Sequence, residues 1–433
     1  MLPLDFVHAF FLIGIAIYIW RREPPRLLLT PLMLISFFVL YGVGNIIYFV
    51  GADTVPDVRS TVTLCLVLMW IGLAVGIELA RASWPSFTAR SDLVIRRWKA
   101  TAISDRPHGD QLLAVVGILV ALYILATFLY FGKQSQILDF VSLQSSADKA
   151  KYRHDFGPEG GYVYQTLIAS VAPFLSFALV LKAVASRKRY LGAIGLIVCA
   201  AVFAGKIGTF EKTPWLVYVL QIIVVFQAAR RLEFGIGRIL IFSAIMLAGV
   251  ALAVIIVIPQ IDSAGLLEWL GYRFFEVNNE VIYQTFYVYP QYLPHTWGMN
   301  IGLLHNLFGT GELLSAHTRV ANFFGAPEAT FDSFFIGDAW VDFSYGGVLV
   351  MSLVVGFAVK TVDIFVMSLG KTPLCLALLG SCMYGLFQLQ VTSAFTAFLS
   401  GGLVFIPLLA FASAGLVNDL SRGNRRLETG RAP

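Results

Sequence analysis

Residues 259–345 read PQIDSAGLLEWLGYRFFEVNNEVIYQTFYVYPQYLPHTWGMNIGLLHNLFGTGELLSAHTRVANFFGAPEATFDSFFIGDAWVDFSY and form the longest polar stretch of the chain. Most of the sequence on either side consists of continuous apolar runs of about 20 residues, the length of a helix that crosses a bilayer. Backbone groups in lipid must be hydrogen-bonded within their own segment, so we interpret these runs as helices. The sequence therefore predicts an all-α polytopic membrane protein in which two membrane spans frame one large polar loop.

The composition supports this interpretation. The 433 residues are 58% hydrophobic and 13% charged, and the mean hydropathy is +0.77, whereas a soluble domain carries about 25% charged residues. The four cysteines, Cys65, Cys199, Cys375 and Cys382, all fall inside apolar runs and lack the spacing of a metal site. We expect them to be small buried residues that form no disulfide bonds.

The apolar runs predict about eleven transmembrane helices. They cover approximately residues 2–20, 27–50, 61–79, 112–131, 162–185, 190–205, 214–229, 239–258, 348–367, 373–391 and 395–417. The predicted organisation is helices one to eight within residues 1–258, a large loop at 259–345, helices nine to eleven within 346–417, and a basic tail at 418–433. Because the large loop holds most of the candidate reactive side chains, we expect it to carry the chemistry.

The distribution of Lys and Arg predicts the orientation, since cytoplasmic loops are enriched in these residues. Basic pairs at 21–22, 96–97 and 230–231 all fall on one side of the predicted bundle. An amino terminus outside the cell places these pairs and the carboxyl-terminal tail in the cytoplasm, and the large loop outside. Nine of the 31 Lys and Arg residues then lie outside: Arg59, Lys133, Lys149, Lys151, Arg153, Lys206, Lys212, Arg273 and Arg319.

Most of these outside cations fall in three groups. The groups are Lys149, Lys151 and Arg153 before the fifth span, Lys206 and Lys212 after the sixth, and Arg273 and Arg319 in the large loop. Cations placed against the topological bias suit an anionic ligand at headgroup level, such as a lipid diphosphate, because Arg presents a planar fork to phosphate oxygens. Alternatively they are ordinary headgroup-binding or snorkelling residues, with Arg273 paired to Glu276 or Glu280 on one helical face.

Two carboxylates mark the end of the large loop. Asp338 and Asp342 are four residues apart on a helix that we expect to start near Asp332 or Ser333, either of which is a favourable N-cap. Carboxylates on one helix face can share a proton, which raises one pKa and supplies a general base. They can equally belong to a solvated helix face or serve as partners of Arg319.

His317, two residues before Arg319, is the second candidate base, whereas His295 and His305 are better explained as structural residues. The sequence has no metal-binding motif, no P-loop and no dinucleotide fingerprint, so we expect no metal, no other cofactor and no nucleic acid partner. The many aromatic residues of the loop are expected to lie mainly at the membrane–water interface. A few of them are suited to stacking on sugar rings.

The run SFFIGDAWVDFSYGGVLVMSLVVGF at residues 333–357 resembles a segment of bacterial O-antigen and exopolysaccharide polymerases of the Wzy type. Those proteins read Gly-Glu-x-Tyr-x-Asn-Phe-Gly-x-x-Gly-Val before an apolar helix. The positions are occupied here by Gly337, Asp338, Trp340, Asp342, Phe343, Ser344, Gly347 and Val348. Asp338 replaces the usual Glu, Asp342 the usual Asn and Ser344 the usual Gly. The loop YRHDFGPEGGY at 152–162 and the basic residues after the sixth span are similar too.

The resemblance implies a glycosyltransferase of the glycosyltransferase-C-like class, in the bacterial inner membrane, with its active site facing the periplasm. The partner in the bilayer would be an undecaprenyl-diphosphate-linked oligosaccharide, and a chain-length regulator is a further expected partner. In this interpretation Asp338, His317 or Asp342 activates the acceptor hydroxyl. The diphosphate ligands would be drawn from Arg273, Arg319, Arg153, Lys151, Lys206 and Lys212.

Two other functions remain open at this point. An O-antigen ligase has a similar layout and differs in its acceptor. A transporter or flippase for a lipid-linked oligosaccharide would place charged or broken helices at the middle of the membrane, whereas Glu78, Lys182, Lys360 and Asp363 lie near the predicted span ends. This placement favours chemistry at the membrane surface.

Overall fold

The computed structural model describes residues 3–104, 109–143, 145–156, 161–233, 263–301, 315–326 and 334–412, together with positions 248, 251, 305, 308 and 309. Within these residues the chain is helical and has no strand, apart from one isolated bridge between Arg26 and Glu233. The helices are α1 Pro3–Arg22, α2 Leu29–Gly51, α3 Pro56–Ser83, α4 Pro85–Arg97, α5 Asp110–Tyr130, α6 Lys133–Ser142, α7 Ser146–Phe156, α8 Gly161–Ser186, α9 Arg189–Ile207, α10 Lys212–Arg230, α11 Ser263–Gly271, α12 Val277–Val288, α13 Ala316–Phe323, α14 Phe335–Ser368, α15 Pro373–Val391 and α16 Ala394–Phe398.

Eight of the described helices are long and apolar enough to cross a membrane. They are α2, α3, α5, α8, α9, α10, α14 and α15, and they coincide with eight of the predicted runs. An all-α polytopic membrane protein is therefore the fold of the described chain. The first predicted run forms α1, which leaves Phe6, Phe10 and Trp20 exposed, and the predicted span at 239–258 lies outside the described residues apart from positions 248 and 251.

The predicted eleventh span, residues 395–417, is wrong as a single helix. Helix α16 ends at Phe398, and a turn follows before helix resumes at Phe405. Gly402 has φ +78, a conformation that side chains disfavour, and its backbone packs against Ser170. Hydropathy does not detect this turn because the residues within it, Leu399 to Val404, are as apolar or as small as those of a helix.

One end of the bundle gathers the segments that were predicted to be cytoplasmic; we refer to it as the basic end. The backbone of Leu27 donates to the carbonyl of Leu232 (2.8 Å), and that of Ser104 to the carbonyl of Lys371 (3.0 Å). The Trp98 indole also donates to the carbonyl of Ala228 at 2.7 Å. These segments therefore share one end of the molecule, as alternating spans require, and the side of the membrane that this end faces stays a prediction.

Helices α3 and α14 pack at backbone distance and form the centre of the bundle. A Cβ on Gly76 would overlap the carbonyl oxygen of Leu353, and one on Gly356 would overlap the carbonyl oxygen of Leu73. A Cβ on Gly72 would lie 2.7 Å from the carbonyl oxygen of Leu349. Small residues at four-residue spacing allow helices in lipid to approach this closely and gain dispersion energy.

The predicted large loop begins, in its described part, with two helices that pack on the membrane bundle. The Asn279 side chain donates to the carbonyl of Leu40 at 2.9 Å, and the Val55 backbone donates to the Tyr283 hydroxyl at 2.8 Å. Helix α12 therefore lies against the middle of α2 and the start of α3. We refer to this end of the bundle as the loop end.

The close contact between α3 and α14 leads to a first prediction. Gly76→Leu should destabilise the fold by at least about 1–3 kcal/mol, because the added side chain has no space beside Leu353. Thermal unfolding of the purified protein, followed by size-exclusion chromatography, would measure the loss. Gly14→Leu is the matched control, since nothing lies within 4 Å of a Cβ at that position on α1; equal stability of the two variants would contradict this packing.

Candidate active site

The long helix α14 is broken near its beginning. Phe343 (φ −138°, ψ 18°) and Ser344 (φ 57°, ψ −148°) have non-helical backbones, so residues 335–342 form a short helix set before the main span. All eight residues of this short helix are buried. Asp338 and Asp342 lie on it, and the break orients it independently of the spanning segment.

The N-cap of this helix, Phe334, comes one position after Ser333 and two after Asp332, the two expected caps. Phe334 occupies the N-cap and supplies no side-chain hydrogen bond, while Asp332 and Ser333 lie outside the described residues. Phe334 instead stacks on Tyr41, with ring centroids 3.7 Å apart, and Tyr41 donates to the carbonyl of Gln390 at 2.5 Å. The start of the short helix is thus held between α2 and α15.

Residues 295–300 pack onto the break; we refer to them as the docking loop. The backbones of Thr296 and Trp297 donate to the carbonyls of Val341 and Asp342 at 2.9 and 3.0 Å. A helix that ends inside a structure leaves carbonyls without intrahelical donors, and the docking loop supplies those donors. Trp297 (φ 51°) and Gly298 (φ 89°) turn the loop back across the helix end.

The Asp342 side chain holds the docking loop in place. One carboxylate oxygen accepts from the Thr296 hydroxyl at 2.5 Å, from the Gly298 backbone at 3.1 Å and from the Asn300 backbone at 3.2 Å. Asp342 is only 3% exposed. A buried carboxylate with three donors is well suited to fixing local structure, and this geometry assigns Asp342 a positioning role.

Asn300 connects the two carboxylates to helix α13. Its side-chain nitrogen donates to Asp338 at 2.9 Å, its backbone donates to Asp342, and its side-chain oxygen accepts from the Ala316 backbone at 2.8 Å. Asp338 is 8% exposed. The two carboxylates are therefore connected through Asn300, which donates a hydrogen bond to each of them.

Arg319, on α13, faces this cluster. Its guanidinium lies close enough to Asp342 and to Tyr289, the residue that ends α12, for electrostatic interaction with both. Burial raises the pKa of the Tyr289 hydroxyl, and the Arg319 charge opposes that rise. The structure thus brings Asp338, Asp342 and Arg319 together, as one of the sequence interpretations expected.

His317 lies two residues before Arg319 on the same helix. Its Nε2 is 2.9 Å from the hydroxyl of Ser315, and Ser315 is the N-cap of α13. Burial lowers the pKa of the imidazole, which favours the neutral ring that can accept a proton. His317 therefore has the protonation state of a base, and its hydrogen bond to Ser315 also ties it to the helix cap.

A second histidine, His295, lies beside the break. Its Nδ1 is 3.2 Å from the carbonyl of Val341, so Nδ1 carries the hydrogen in this contact and Nε2 keeps its lone pair. The ring packs edge-on against Trp340 with centroids 5.3 Å apart. His295 is consequently half-buried and is held at the site by the Val341 carbonyl. This contact is consistent with the structural role expected from the sequence.

Aromatic side chains form an exposed rim next to the cluster. Tyr292 lies against Phe323 with centroids 4.9 Å apart, and its hydroxyl is 2.9 Å from that of Tyr287. Trp297 is 70% exposed and Phe324 is 42% exposed. Exposed rings beside buried polar groups suit the binding of sugar faces, as expected for a minority of the loop aromatics.

Arg273 is not part of this cluster. It lies in the π-helical segment Tyr272–Glu276, is exposed, and places its guanidinium over the Trp269 ring at 5.4 Å. It precedes Tyr289 by 16 residues of nearly continuous helix, which is about 24 Å. The expected pairing with Glu276 or Glu280 is absent from the described ion pairs, and Glu280 instead accepts from Tyr272 at 3.0 Å.

Lys206 occupies a different kind of environment. It is 1% exposed, at the end of α9, and its ammonium lies 4.4 Å from the centre of the Tyr384 ring and 5.9 Å from that of Tyr218. No described side chain forms an ion pair with it. Lys206 is therefore a buried lysine held against two aromatic faces, and the anion-binding role assigned to it from the sequence stays a prediction.

The remaining predicted cations are Arg153, Lys151 and Lys212. Arg153 is half-buried and lies close to Glu211, whereas Lys151 is exposed. Lys212 is the first residue of α10, and its side chain lies outside the described residues. The group that contains Arg153 therefore lies next to the segment between Lys206 and Lys212, where Tyr152 also packs on Phe210.

Several residues of the site have no signal in the sequence. Asn300, Thr296 and Tyr289 belong to no motif, and their roles depend on a contact between segments about 40 residues apart in the chain. Gly298 marks a turn, and that is the one local sign of the docking loop. His305 is largely buried, at 9% exposure, as a structural histidine would be.

No known protein family model matches the chain, and comparison with curated proteins and with solved structures also gives no match.

The hydrogen bonds of Asp342 lead to a prediction about the docking loop. Asp342→Ala removes the acceptor of three donors and should loosen the loop by about 1–3 kcal/mol, whereas Asp342→Asn keeps an acceptor oxygen in place. Limited chymotrypsin cleavage after Trp297 would report the opening. We expect faster cleavage in the Ala variant and near-native cleavage in the Asn variant; faster cleavage in both would show that the negative charge holds the loop.

The burial of His317 predicts a pH dependence of stability. A histidine whose folded-state pKa is lowered binds its proton more readily in the unfolded state, so its contribution is complete above about pH 6.5 and is lost as the pH falls through the folded-state pKa. Thermal unfolding at pH 7.5 and pH 5.5 would measure this loss. His317→Gln should reduce the difference between the two pH values, and an unchanged difference would contradict the assignment.

Proposed function

We propose that the protein is a polysaccharide polymerase that joins undecaprenyl-diphosphate-linked oligosaccharide repeat units at the periplasmic face of a bacterial inner membrane. The observation that carries this proposal is the cluster of Asp338, Asn300, Asp342 and Arg319 at the break in α14. It combines a buried carboxylate, a guanidinium and exposed aromatic rings at one end of a membrane bundle. These are the groups needed to activate a sugar hydroxyl and to bind a lipid diphosphate.

The geometry of the break gives physical reasons for the sequence resemblance to Wzy-type polymerases. Ser344 adopts φ 57° and ψ −148°, a conformation that glycine favours, at the position where those polymerases have glycine. A Cβ on Gly347 would overlap the carbonyl oxygen of Ala339. At position 342 the side chain acts as a hydrogen-bond acceptor, which the family's asparagine also provides. The resemblance therefore coincides with the residues that shape the site.

In the proposed reaction the donor is a growing glycan on undecaprenyl diphosphate, and the acceptor is a sugar hydroxyl of an incoming lipid-linked unit. The acceptor oxygen forms a bond to the anomeric carbon, and the bond from that carbon to the diphosphate oxygen breaks. Asp338 takes the acceptor proton, with His317 as the alternative base. Arg319 stabilises the negative charge that develops on the departing diphosphate, so the proposal needs no metal ion.

Lys206 supports a second candidate function, a transporter or flippase for an anionic lipid-linked oligosaccharide. Its burial among Tyr218 and Tyr384 places a cation inside the bundle with no described anion beside it. The other candidate charges are engaged at the basic end: Lys360 pairs with Glu23 at 2.6 Å, and Asp363 accepts from the backbone of Thr30 at 2.7 Å. This arrangement of charges keeps surface glycosyl transfer as the leading proposal.

The proposal predicts the glycan phenotype of site variants. In a strain that depends on this protein, Arg319→Ala and Asp338→Asn should abolish long surface glycan while the protein stays in the membrane at normal levels. Arg59→Ala is the matched control, because Arg59 lies at the same end and packs over the Phe49 ring at 4.9 Å. Gel analysis of surface glycan would distinguish the two site variants from the Arg59→Ala control.

The outcome also separates the candidate functions. Single repeat units on their final carrier support a polymerase. Long polymer retained on the lipid carrier supports an O-antigen ligase, and unpolymerised units accumulating on the cytoplasmic side support a flippase. Normal polymer from both site variants would refute the assignment of Arg319 and Asp338.

A further inference from the structure

A groove runs between helices α8 and α9 at the basic end of the bundle. It has a volume of about 400 Å³. Its apolar lining is Val180, Ala183, Val184, Gly192 and Leu196. Val184 is 63% exposed and Leu196 is 66% exposed, so the groove opens sideways, toward the region that surrounds the bundle, and continues the apolar outer surface of the spans.

Basic residues close the groove at the tip of the α8–α9 hairpin. Arg187, Lys188 and Arg189 all line it, and the hairpin connection consists of Arg187 and Lys188 alone. The apolar lining extends seven residues from Arg189 to Leu196, which is about 10 Å along the helix. The groove therefore has a cationic mouth at the end of the bundle and an apolar channel that leads into the span.

The nearby acid, Asp110, neutralises only part of the positive charge at the mouth. Asp110 is occupied by Lys182 and by Lys188, whose ammonium lies 2.5 Å from it. Arg187 and Arg189 are exposed and form no ion pair or hydrogen bond with side chains of the described chain. Two guanidinium groups are thus available beside the groove.

The backbone at Arg187 is a second, independent observation. This residue ends α8 with φ 59° and ψ 22°, a left-handed conformation at a position where helices usually have Gly or Asn. An arginine is disfavoured in this conformation, and unfavourable backbone conformations tend to occur at functional positions. The turn makes Arg187 one of the residues that line the groove.

We propose that this groove binds an anionic phospholipid of the cytoplasmic leaflet, with the phosphodiester at Arg187 and Arg189 and one acyl chain between α8 and α9. An apolar groove open to the bilayer accepts an acyl chain, and basic pockets between spans on the cytoplasmic side accept anionic headgroups. The site lies at the end of the bundle opposite the docking loop and does not depend on the proposed polymerase activity. Its occupant would brace the α8–α9 hairpin, on which Lys206 is carried.

The proposal predicts a preference for an anionic lipid, and two kinds of variant should change lipid binding in different ways. The full chain in detergent would be titrated with phosphatidylglycerol and with phosphatidylcholine of the same acyl chains, and bound lipid counted by native mass spectrometry. Phosphatidylglycerol should bind at least about ten-fold more tightly. The double variant Arg187→Asn, Arg189→Gln should remove this preference, and Asn tolerates the left-handed backbone of position 187. Gly192→Leu fills the groove and should weaken the binding of both lipids.

The controls make each outcome decisive. Arg96→Gln, Arg97→Gln removes an exposed basic pair from the last turn of α4, at the same end and away from the groove, and should leave the preference unchanged. An equal loss of the phosphatidylglycerol preference in this control would show that the preference comes from general charge attraction, and would overturn the proposal. Unchanged binding in Gly192→Leu, displacement of the lipid by inorganic phosphate, or equal affinity for both lipids would each overturn the proposal.

Discussion

The site depends on one constraint, which is that backbone carbonyls freed by a break in a buried helix must find donors. The break at Phe343 and Ser344 ends a buried helix, and the docking loop donates to Val341 and Asp342 from two successive backbone amides. An unsatisfied buried carbonyl costs about 1–3 kcal/mol, so the loop and the break require each other. The carboxylate of Asp342 also accepts hydrogen bonds from the docking loop, from the Thr296 hydroxyl and the Gly298 backbone. Together these bonds place Asp338 and Arg319 in fixed positions.

Burial of charge is handled differently at the two ends of the molecule. At the basic end Glu23 pairs with both Arg81 (2.8 Å) and Lys360 (2.6 Å), so buried charges there are compensated within the bundle. At the loop end Lys206 is buried with aromatic rings and no described anion. Since an isolated buried charge is costly, the first arrangement serves stability. The second leaves Lys206 without a described ion pair.

The proposed polymerase and the proposed lipid site use the same physical elements at opposite ends. In both, guanidinium groups are the proposed ligands of phosphate oxygens. The difference lies in what accompanies the cations. Arg319 has a buried carboxylate and exposed aromatic rings beside it, which suits chemistry on a sugar, whereas Arg187 and Arg189 have only an apolar groove, which suits binding of a lipid.

The sequence by itself determined the fold class and most of the spans, because continuous apolar length is a local property and lipid leaves helix as its only conformation. It also singled out the segment 337–348 and the pair Asp338 and Asp342, whose spacing is set within one helix. Hydropathy alone missed the turn at Gly402, since the apolar run continues on both sides of Ser400, Gly401 and Gly402.

The tertiary structure alone decided which polar groups meet. Asn300 reaches Asp338 across 38 residues of chain, and Arg273 is removed from Arg319 although both belong to one loop in the sequence. It also decided that Lys206 is buried and that Arg187 opens onto a groove. The physical reason is that hydropathy and helical period are read along one segment, whereas hydrogen bonds and burial depend on which segments the packed helices bring together.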